Sequence, residues 1–385
     1  MGPQTPGAES QARFISQAAC GIVAKALIVS GRTQLIHEPR QSVVRSEANA
    51  SGATSVAIAG DAVAEKAARS ASHTIRLRGT WDVAGYRRLS SMLRDLAPDV
   101  VHVWDPHFLP APALLAIVRG KRCPVVATFR HPPDVNGRPR IAAQLVRKHV
   151  AEAVADCEFV RAACLQRGWS DSAMSVIPAG CEQRGVESPE TEHDALSDDG
   201  TVGFDQTARR IVVVGPLSAH KRIADLIWAV DMLAPLEPRL RLAIVGAGPA
   251  ESHLHDASRA VRRADRVDFF SIAALPQLLD TAEFAAAPGD MDGCCQGTLQ
   301  AMSWGLPIVA ASGGGNRELI GEDVAGLTFP AGDRGELART LWRMLENEEL
   351  RKRLGAEAVA RARNDYSAER MANAYADLYR GLLNM

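Results

Sequence analysis

Short apolar runs alternate with helix-length amphipathic segments along most of this chain, and the alternation is interrupted once. Before the interruption, strands are predicted at Val100–Trp104, Pro124–Thr128, Ala155–Cys157 and Met174–Ile177, the last stopped by Pro178. Helices are predicted at Tyr86–Leu96, Pro110–Val118, Arg138–Val154 and Phe159–Arg167. After it, strands are predicted at Arg210–Val214, Leu240–Val245, Val267–Phe270, Phe284–Ala287, Ile308–Ala310 and Leu327–Phe329. The helices of this half are Ile223–Leu233, Glu251–Arg263, the segment TLQAMSWG, Gly335–Glu346, Glu348–Ala362 and Ala368–Leu382. Such spacing implies parallel strands, because each return crossing needs a helix, and a parallel sheet must be covered on both faces.

The interruption, Gly185 to Gln206, carries Glu187, Glu190, Glu192, Asp194, Asp198, Asp199 and Asp205 and no Lys or Arg. Self-repelling charge with few, scattered apolar residues reads as a solvated linker or a long loop. The chain is therefore α/β: two Rossmann-like, doubly wound domains facing a cleft. The first covers residues 1–185, an acidic linker 186–207, the second domain 208–365, and a closing helix 366–385 is expected to pack back toward the first domain. Residues 1–75 are the least patterned part, with candidate strands only at Ala24–Ser30 and Ser55–Ala59. In such folds ligands sit at the carboxyl ends of the strands.

Composition narrows the function. At 385 residues, 46% hydrophobic and 23% charged, the chain can bury two cores. Lys and Arg number 44 against 45 Asp and Glu, a balance that argues against a dedicated nucleic-acid binder. Seven cysteines without C-x-x-C spacing suit a reduced, cytoplasmic setting, with the adjacent Cys294 and Cys295 read as small loop fillers. The longest plain apolar run, Leu109 to Val118, is far short of a membrane span, and the N-terminus does not read as a signal peptide. Arg138, Arg140, Arg147, Lys148 and His149 give one predicted helix a basic face; it suits either solvent or peripheral contact with anionic lipid on the inner face of a membrane.

The chemistry concentrates from Pro288 to Ala310. An apolar strand ends at Pro288, a loop of Gly and Asp follows, and a helix is stopped by Gly305-Leu306-Pro307 before the next strand. A small-residue loop at a helix start lets unpaired N–H groups meet an anion. Val212 to Lys221 repeats the device, a strand and short loop ending in a lysine at a helix start. A cation there is mildly unfavourable by about 0.3–1 kcal/mol unless an anion sits beside it. Val245-Gly246-Ala247-Gly248-Pro249-Ala250-Glu251 has Glu251 where a dinucleotide fingerprint needs its third glycine, which argues against a flavin. Asp290-Met291-Asp292 has the spacing of a D-x-D metal site, but the surrounding strand-helix alternation reads against one, and no metal is expected. In the first domain, His102, Asp105 and His107 are expected at the cleft, either contacting substrate or packing the loop around Trp104, with Arg130 and His131 the better candidates for substrate contact.

Together these segments resemble the GT-B retaining glycosyltransferases of group one, which include sucrose synthase, mannosyltransferases and glycogen synthase. Ile177-Pro178-Ala179-Gly180 is similar to the family's V-I-P-N-G, and Val214-Gly215-Pro216-Leu217 with Lys221 to its V-G-R-L and lysine. Val245 to Pro249 is similar to V-G-x-G-P, Pro288 to Met302 to P-S-x-x-E-G followed by E-A-M, and Gly314-Gly315, Glu318 and Gly326-Leu327 to its last segments. The resemblance implies a nucleotide-diphosphate sugar as donor, no required cofactor or metal, and a glycan, lipid or small-molecule acceptor. By the same carry-over, Lys221, Asp292 and His131 would be catalytic, and Gly215, Pro216, Lys221, Gly246, Gly248, Asp292, Gly293, Gln296, Gly297, Thr298 and Gln300 would contact the donor.

Three positions depart from the pattern. Pro216 replaces an arginine, Asp292 shortens one glutamate, and Gln300 neutralises the glutamate that holds the ribose. His220 and Arg317 are the nearest substitutes for the lost cation by sequence. The expected activity is hexosyl transfer; the departures motivate a second reading, a catalytically impaired glycosyltransferase-like binding or regulatory protein.

Overall fold

The computed structural model describes residues 26–30, 53–59, 71–76, 83–96, 98–104, 123–133, 147–183, 207–291 and 293–384. The predicted helix over 110–118, most of the basic helix, the acidic linker, Asp105, His107 and Asp292 lie outside the described residues.

The first sheet is built from β1 (Ala26–Ser30), β2 (Ala53–Ala59), β3 (Ala71–Arg76), β4 (Val100–Trp104), β5 (Val125–Phe129), β6 (Glu152–Ala155) and β7 (Met174–Val176). Its order is β3-β2-β1-β4-β5-β6-β7. From β1 through β4 to β7 the pairing is parallel, whereas β1 with β2 and β2 with β3 are antiparallel. The parallel expectation thus fails at this edge, where β3 went unread among polar residues. Before β4, helix α1 (Val83–Leu96) buries Gly85, Leu89 and Leu93, one face at four-residue spacing, and leaves Arg87, Arg88 and Arg94 exposed. After β6, α2 (Glu158–Gln166) buries Val160 and Cys164.

One predicted boundary is corrected. The helix expected to run through Val154 gives way by Val150, and Glu152–Ala155 is a strand bonded to both β5 and β7. Glu and Ala favour helix locally, but two strand neighbours satisfy this backbone and bury Ala153, Val154 and Ala155 completely.

The second sheet contains β8 (Arg209–Val214), β9 (Leu240–Val245), β10 (Val267–Phe270), β11 (Ala282–Ala287), β12 (Ile308–Ala311) and β13 (Gly326–Phe329), ordered β10-β9-β8-β11-β12-β13. Every pair is parallel. Its helices are α3 (Ile223–Leu233), α4 (Glu251–Ala260), α5 (Leu275–Thr281), α6 (Gln296–Ser303), α7 (Asn316–Ile320), α8 (Arg334–Glu346) and α9 (Glu348–Asn364), of which α5 and α7 were not anticipated. Strand alternation divides the core: Ile211 and Val213 join the cluster of α3 and α8, while Val212 and Ala285 join that of α6 and α9. The latter cluster also takes in Ala127, Phe129 and Ala155 of the first sheet and Cys157 before α2, so one apolar core is continuous between the lobes.

The final helix, α10 (Ala368–Leu383), follows the second lobe in sequence but covers the first sheet. Met371, Tyr375 and Tyr379 pack on Val100, Trp104, Val126, Val154 and Ile177. Two chain crossings run side by side, with Cys181 N–H donating to Tyr366 O at 2.8 Å and Ala368 N–H to Cys181 O at 3.0 Å. Beneath α10 lies a polar chain that corrects the reading of His102. Its ring is fully buried in β4 rather than placed at a cleft, with Nδ1 2.6 Å from Tyr379 Oη and Nε2 2.7 Å from Thr128 Oγ1. Thr128 Oγ1 lies 2.9 Å from Tyr375 Oη. A neutral imidazole has one donor and one acceptor nitrogen, so two hydroxyls satisfy it.

Among the described residues no helix is long and apolar enough to cross a membrane.

Burial lowers the His102 pKa from 6.5 to about 3. The unfolded chain therefore binds a proton in this interval that the folded chain refuses. The ring's contribution to stability is complete above pH 6.5 and drains as pH falls toward 3, at up to about 1.4 kcal/mol per unit. Moving from pH 7 to 5 should cost the wild type about 2 kcal/mol more than a His102→Phe variant, read from urea midpoints at each pH.

Candidate functional site

The carboxyl ends of β8 and β11 and the start of α6 converge on one recess. Gly215, Pro216, Lys221, Gly289, Cys295 and Thr298 line it above apolar strand residues. Gly215 sits at φ +145°, outside the range most side chains adopt, and donates its N–H to Val245 O at 3.1 Å. This bends the chain off β8 and delivers Lys221, which is 9% exposed, with Nζ 3.2 Å from Cys295 Sγ. The next residue, Arg222, is in the left-handed region at φ 52°. Its guanidinium reaches Asp225, at 2.6 Å.

Cys295 is the N-cap residue of α6 but forms no side-chain cap hydrogen bond, and no acidic residue lies in the first turn. The positive end of the helix and the ammonium of Lys221 therefore meet at the same hollow. Gly297 makes this possible, because a Cβ there would come 2.5 Å from Val214 O and hold α6 off β8. Asn316, fully buried, donates from Nδ2 to Gly289 O at 2.8 Å and fixes the loop after β11.

Of the sequence-derived candidates, Gly215, Pro216, Lys221 and Thr298 come together here. Gly246 and Gly248 do not line the recess; they let two loops close on each other. A Cβ on Gly246, at φ +135°, would lie 2.1 Å from Gly215 O, and one on Gly248 would lie 2.4 Å from Leu217 O. Leu217 N–H to Ala247 O at 3.0 Å and Ala250 N–H to Leu217 O at 2.8 Å complete this zip. Gln296 turns to the lobe crossing, donating from Nε2 to Gly180 O at 3.0 Å. Gln300 is half-buried on α6, outside the lining, and His131 is half-buried just past β5 in the first lobe. Gly293 faces the first lobe, where a Cβ would meet the Asp156 carboxylate and Arg130 O. Neither proposed substitute for the cation lost at Pro216 lines the recess: Arg317 pairs with Glu322 at the surface, and the exposed His220 lies 3.2 Å from Ser218 Oγ. Among the described residues, no three His, Cys, Asp or Glu side chains gather as a metal site.

Sequence reasoning missed the roles of three residues. Cys295, read as filler, is the neighbour of the buried ammonium. Asp156, 2% exposed beyond β6, accepts the Cys294 N–H at 3.1 Å. The Glu318 carboxylate accepts the N–H groups of Glu158 and Phe159, at 2.8 and 2.7 Å, and so caps α2 from the other lobe. No periodicity announces a contact between residues 160 positions apart, although an acidic residue in an apolar context, as at Val154-Ala155-Asp156-Cys157, is a signal to check.

Residues 197–361 match the family described as Glycosyl transferases group 1, and residues 52–183 match Glycosyltransferase Family 4. The chain is 27% identical to alpha-D-kanosaminyltransferase of Streptomyces kanamyceticus over 44% of this chain and 45% of that protein. It is 27% identical to a GDP-mannose-dependent alpha-mannosyltransferase of Corynebacterium glutamicum, over 64% of this chain and 58% of the relative. The matches thus span about half the length of these curated relatives. Among solved structures, Anabaena HepE in complex with UDP superposes with a TM-score of 0.64 at 18% identity, covering 78% of this chain and 82% of that one. Sucrose-phosphate synthase from Thermosynechococcus elongatus gives 0.64 at 16% identity, with 79% of each chain covered. These two likenesses are of fold.

Gly246→Ala should test the zip. With positive φ and a 2.1 Å contact to backbone, the variant is expected to lose about 1–3 kcal/mol, seen as a lower Tm or urea midpoint.

Proposed function

The chain belongs to the group 1 glycosyltransferases, and from that premise we propose that it moves a sugar from a nucleoside-diphosphate sugar to an acceptor hydroxyl with retention at the anomeric carbon. One observation carries the reading: a lysine only 9% exposed shares a recess with an uncapped helix start. A charge-assisted bond from this ammonium to a phosphate contributes roughly 1.5–3 kcal/mol. UDP in the HepE complex and GDP-mannose in the name of the Corynebacterium relative make nucleoside diphosphates the ligands to test.

In the proposed reaction, the bond from the anomeric carbon to the diphosphate oxygen breaks, and Lys221 with the first N–H groups of α6 receives the charge. The acceptor oxygen bonds to the same face of that carbon, and its proton passes to the departing phosphate oxygen. Asp292 would position the sugar and Gln300, as donor and acceptor, the ribose. His131 or Arg130 would line the reacting face from the first lobe. Closure of the lobes would exclude water from the donor. We place this reaction in the cytoplasm, with a glycan, lipid or small molecule as acceptor and no bound cofactor in the scheme.

Pro216 leaves Lys221 as the recess's one lining cation among the described residues. Lys221→Met is therefore expected to lower kcat/KM by about 10²–10³ and to weaken nucleoside-diphosphate binding, with the unfolding midpoint retained. Calorimetry with UDP, GDP and ADP, followed by transfer assays with the matching sugars, is the measurement. A wild-type protein that binds none of them, and neither transfers nor slowly hydrolyses any donor, would refute the proposal.

A further inference from the structure

The loop joining β11 to α6 belongs to the second lobe in sequence, yet first-lobe atoms hold its shape. Oδ2 of Asp156 accepts the N–H of Cys294 at 3.1 Å, and Cys294 Sγ donates to Asp156 O at 3.1 Å. Gly293 is pressed so closely that a Cβ would stand 2.4 Å from Asp156 Oδ1 and 2.5 Å from Arg130 O. Gly315 lies against the other side of the loop, where its Cβ would be 2.6 Å from Gly293 C and O and 3.1 Å from Cys157 Sγ. The loop is therefore held between first-lobe residues and the turn before α7. It runs directly from Cys294 into Cys295, whose sulfur contacts Lys221 Nζ at 3.2 Å.

A carboxylate has the wrong charge to meet a diphosphate, so its place beside this loop calls for a geometric reason. An acceptor oxygen from a sheet strand's end is stiff, and it can only be presented when the lobes are together. We propose that Asp156 is a positioning residue: it holds Gly293–Cys294 in place, so that the loop leading into α6 takes its working shape only against the first lobe. This rests on the sugar-transfer reading for its kinetic consequence, but not for its structural one. Lobe contact and completion of the second lobe's site are then one event, carried by a side chain that touches neither substrate.

The test uses the full chain with Asp156→Ala, Asp156→Asn and Gly293→Ala. Asn keeps an oxygen for the Cys294 N–H; Ala removes it, and a Cβ at 293 pushes the loop off. Cys294 is buried, so a maleimide with peptide mapping reports the loop directly. Asp156→Ala and Gly293→Ala should speed labelling of Cys294 by about 10-fold or more, and Asp156→Asn by less than about 3-fold. With a nucleotide sugar, Asp156→Ala should lower kcat by about 10-fold or more, because small misplacements at a reacting centre are costly. The dissociation constant of the bare nucleoside diphosphate should shift less than about 3-fold, since its recess is built from the second lobe alone. Should Asp156→Ala not fold, Gly293→Ala carries the same comparison. Protection of Cys294 in both loop-releasing variants overturns the proposal. So does equal impairment of Asp156→Asn and Asp156→Ala, which would make the charge, not the acceptor oxygen, the operative feature. If the wild type turns over no donor, the sugar-transfer reading fails while the labelling still decides the role of Asp156.

Discussion

Carboxylates that accept backbone N–H groups across the lobe boundary set the register of this molecule. Glu318 in the second lobe takes two from the start of α2, and Asp156 in the first takes one from the loop before α6. Each lobe thus lends an acceptor to the other's main chain. Charge-assisted bonds of this kind contribute roughly 1.5–3 kcal/mol each, and Glu318 gains further from the positive end of α2. The shared apolar cluster between the lobes has no direction; apolar faces tolerate sliding, whereas an N–H aimed at an oxygen does not. α10 adds the tether, and these contacts decide where the tethered lobes meet.

The fold was legible wherever burial and periodicity agreed. Val100–Trp104 and Leu240–Val245 are apolar apart from His102 and Arg241 because both faces of a parallel sheet are covered, and both are strands as predicted. Legibility failed where pairing overrode local preference. Glu152–Ala155 has the composition of a helix and lies as a strand between two others. The antiparallel edge was hidden for a related reason: Ala71–Arg76, ASHTIR, has too few apolar residues to show alternation and gains its place from pairing with β2. His102 misled differently. A histidine within a strand that ends at the cleft looks like a cleft residue, and the Tyr379 and Thr128 hydroxyls, 277 and 26 positions away, explain its burial.

The site was half legible, and glycine is the reason. A glycine is selected either because a ligand needs the room or because another backbone does, and the sequence alone looks the same. Gly215 opens the recess, but Gly246 and Gly248 make way for Gly215 O and Leu217 O, and Gly297 for Val214 O. These three therefore shape the recess without lining it. Lys221 was legible because a cation at a helix start is unfavourable unless something answers it. Asp156 and Cys294 were not, since their significance exists only once two distant segments touch.

The anion proposed for the recess would meet fewer cations than the family pattern supplies, and burial offsets part of that difference. An arginine at 216 would have been a second charge; Pro216 instead stiffens the turn that carries Lys221. Two unit charges 4 Å apart attract by about 1 kcal/mol in water and about 4 kcal/mol at the effective dielectric of a protein surface. Lys221 at 9% exposure lies toward the second limit, and salt screens it less than an exposed pair. Its strength thus depends on water being kept out of the hollow, which Pro288, Gly289 and Cys295 of the loop from β11 to α6 help to line. That loop answers to Asp156 in the other lobe. Under the positioning role proposed for Asp156, the two contacts divide the work: the second lobe's own residues line the recess around Lys221, and contact with the first lobe through Asp156 sets where the loop holds the reacting groups.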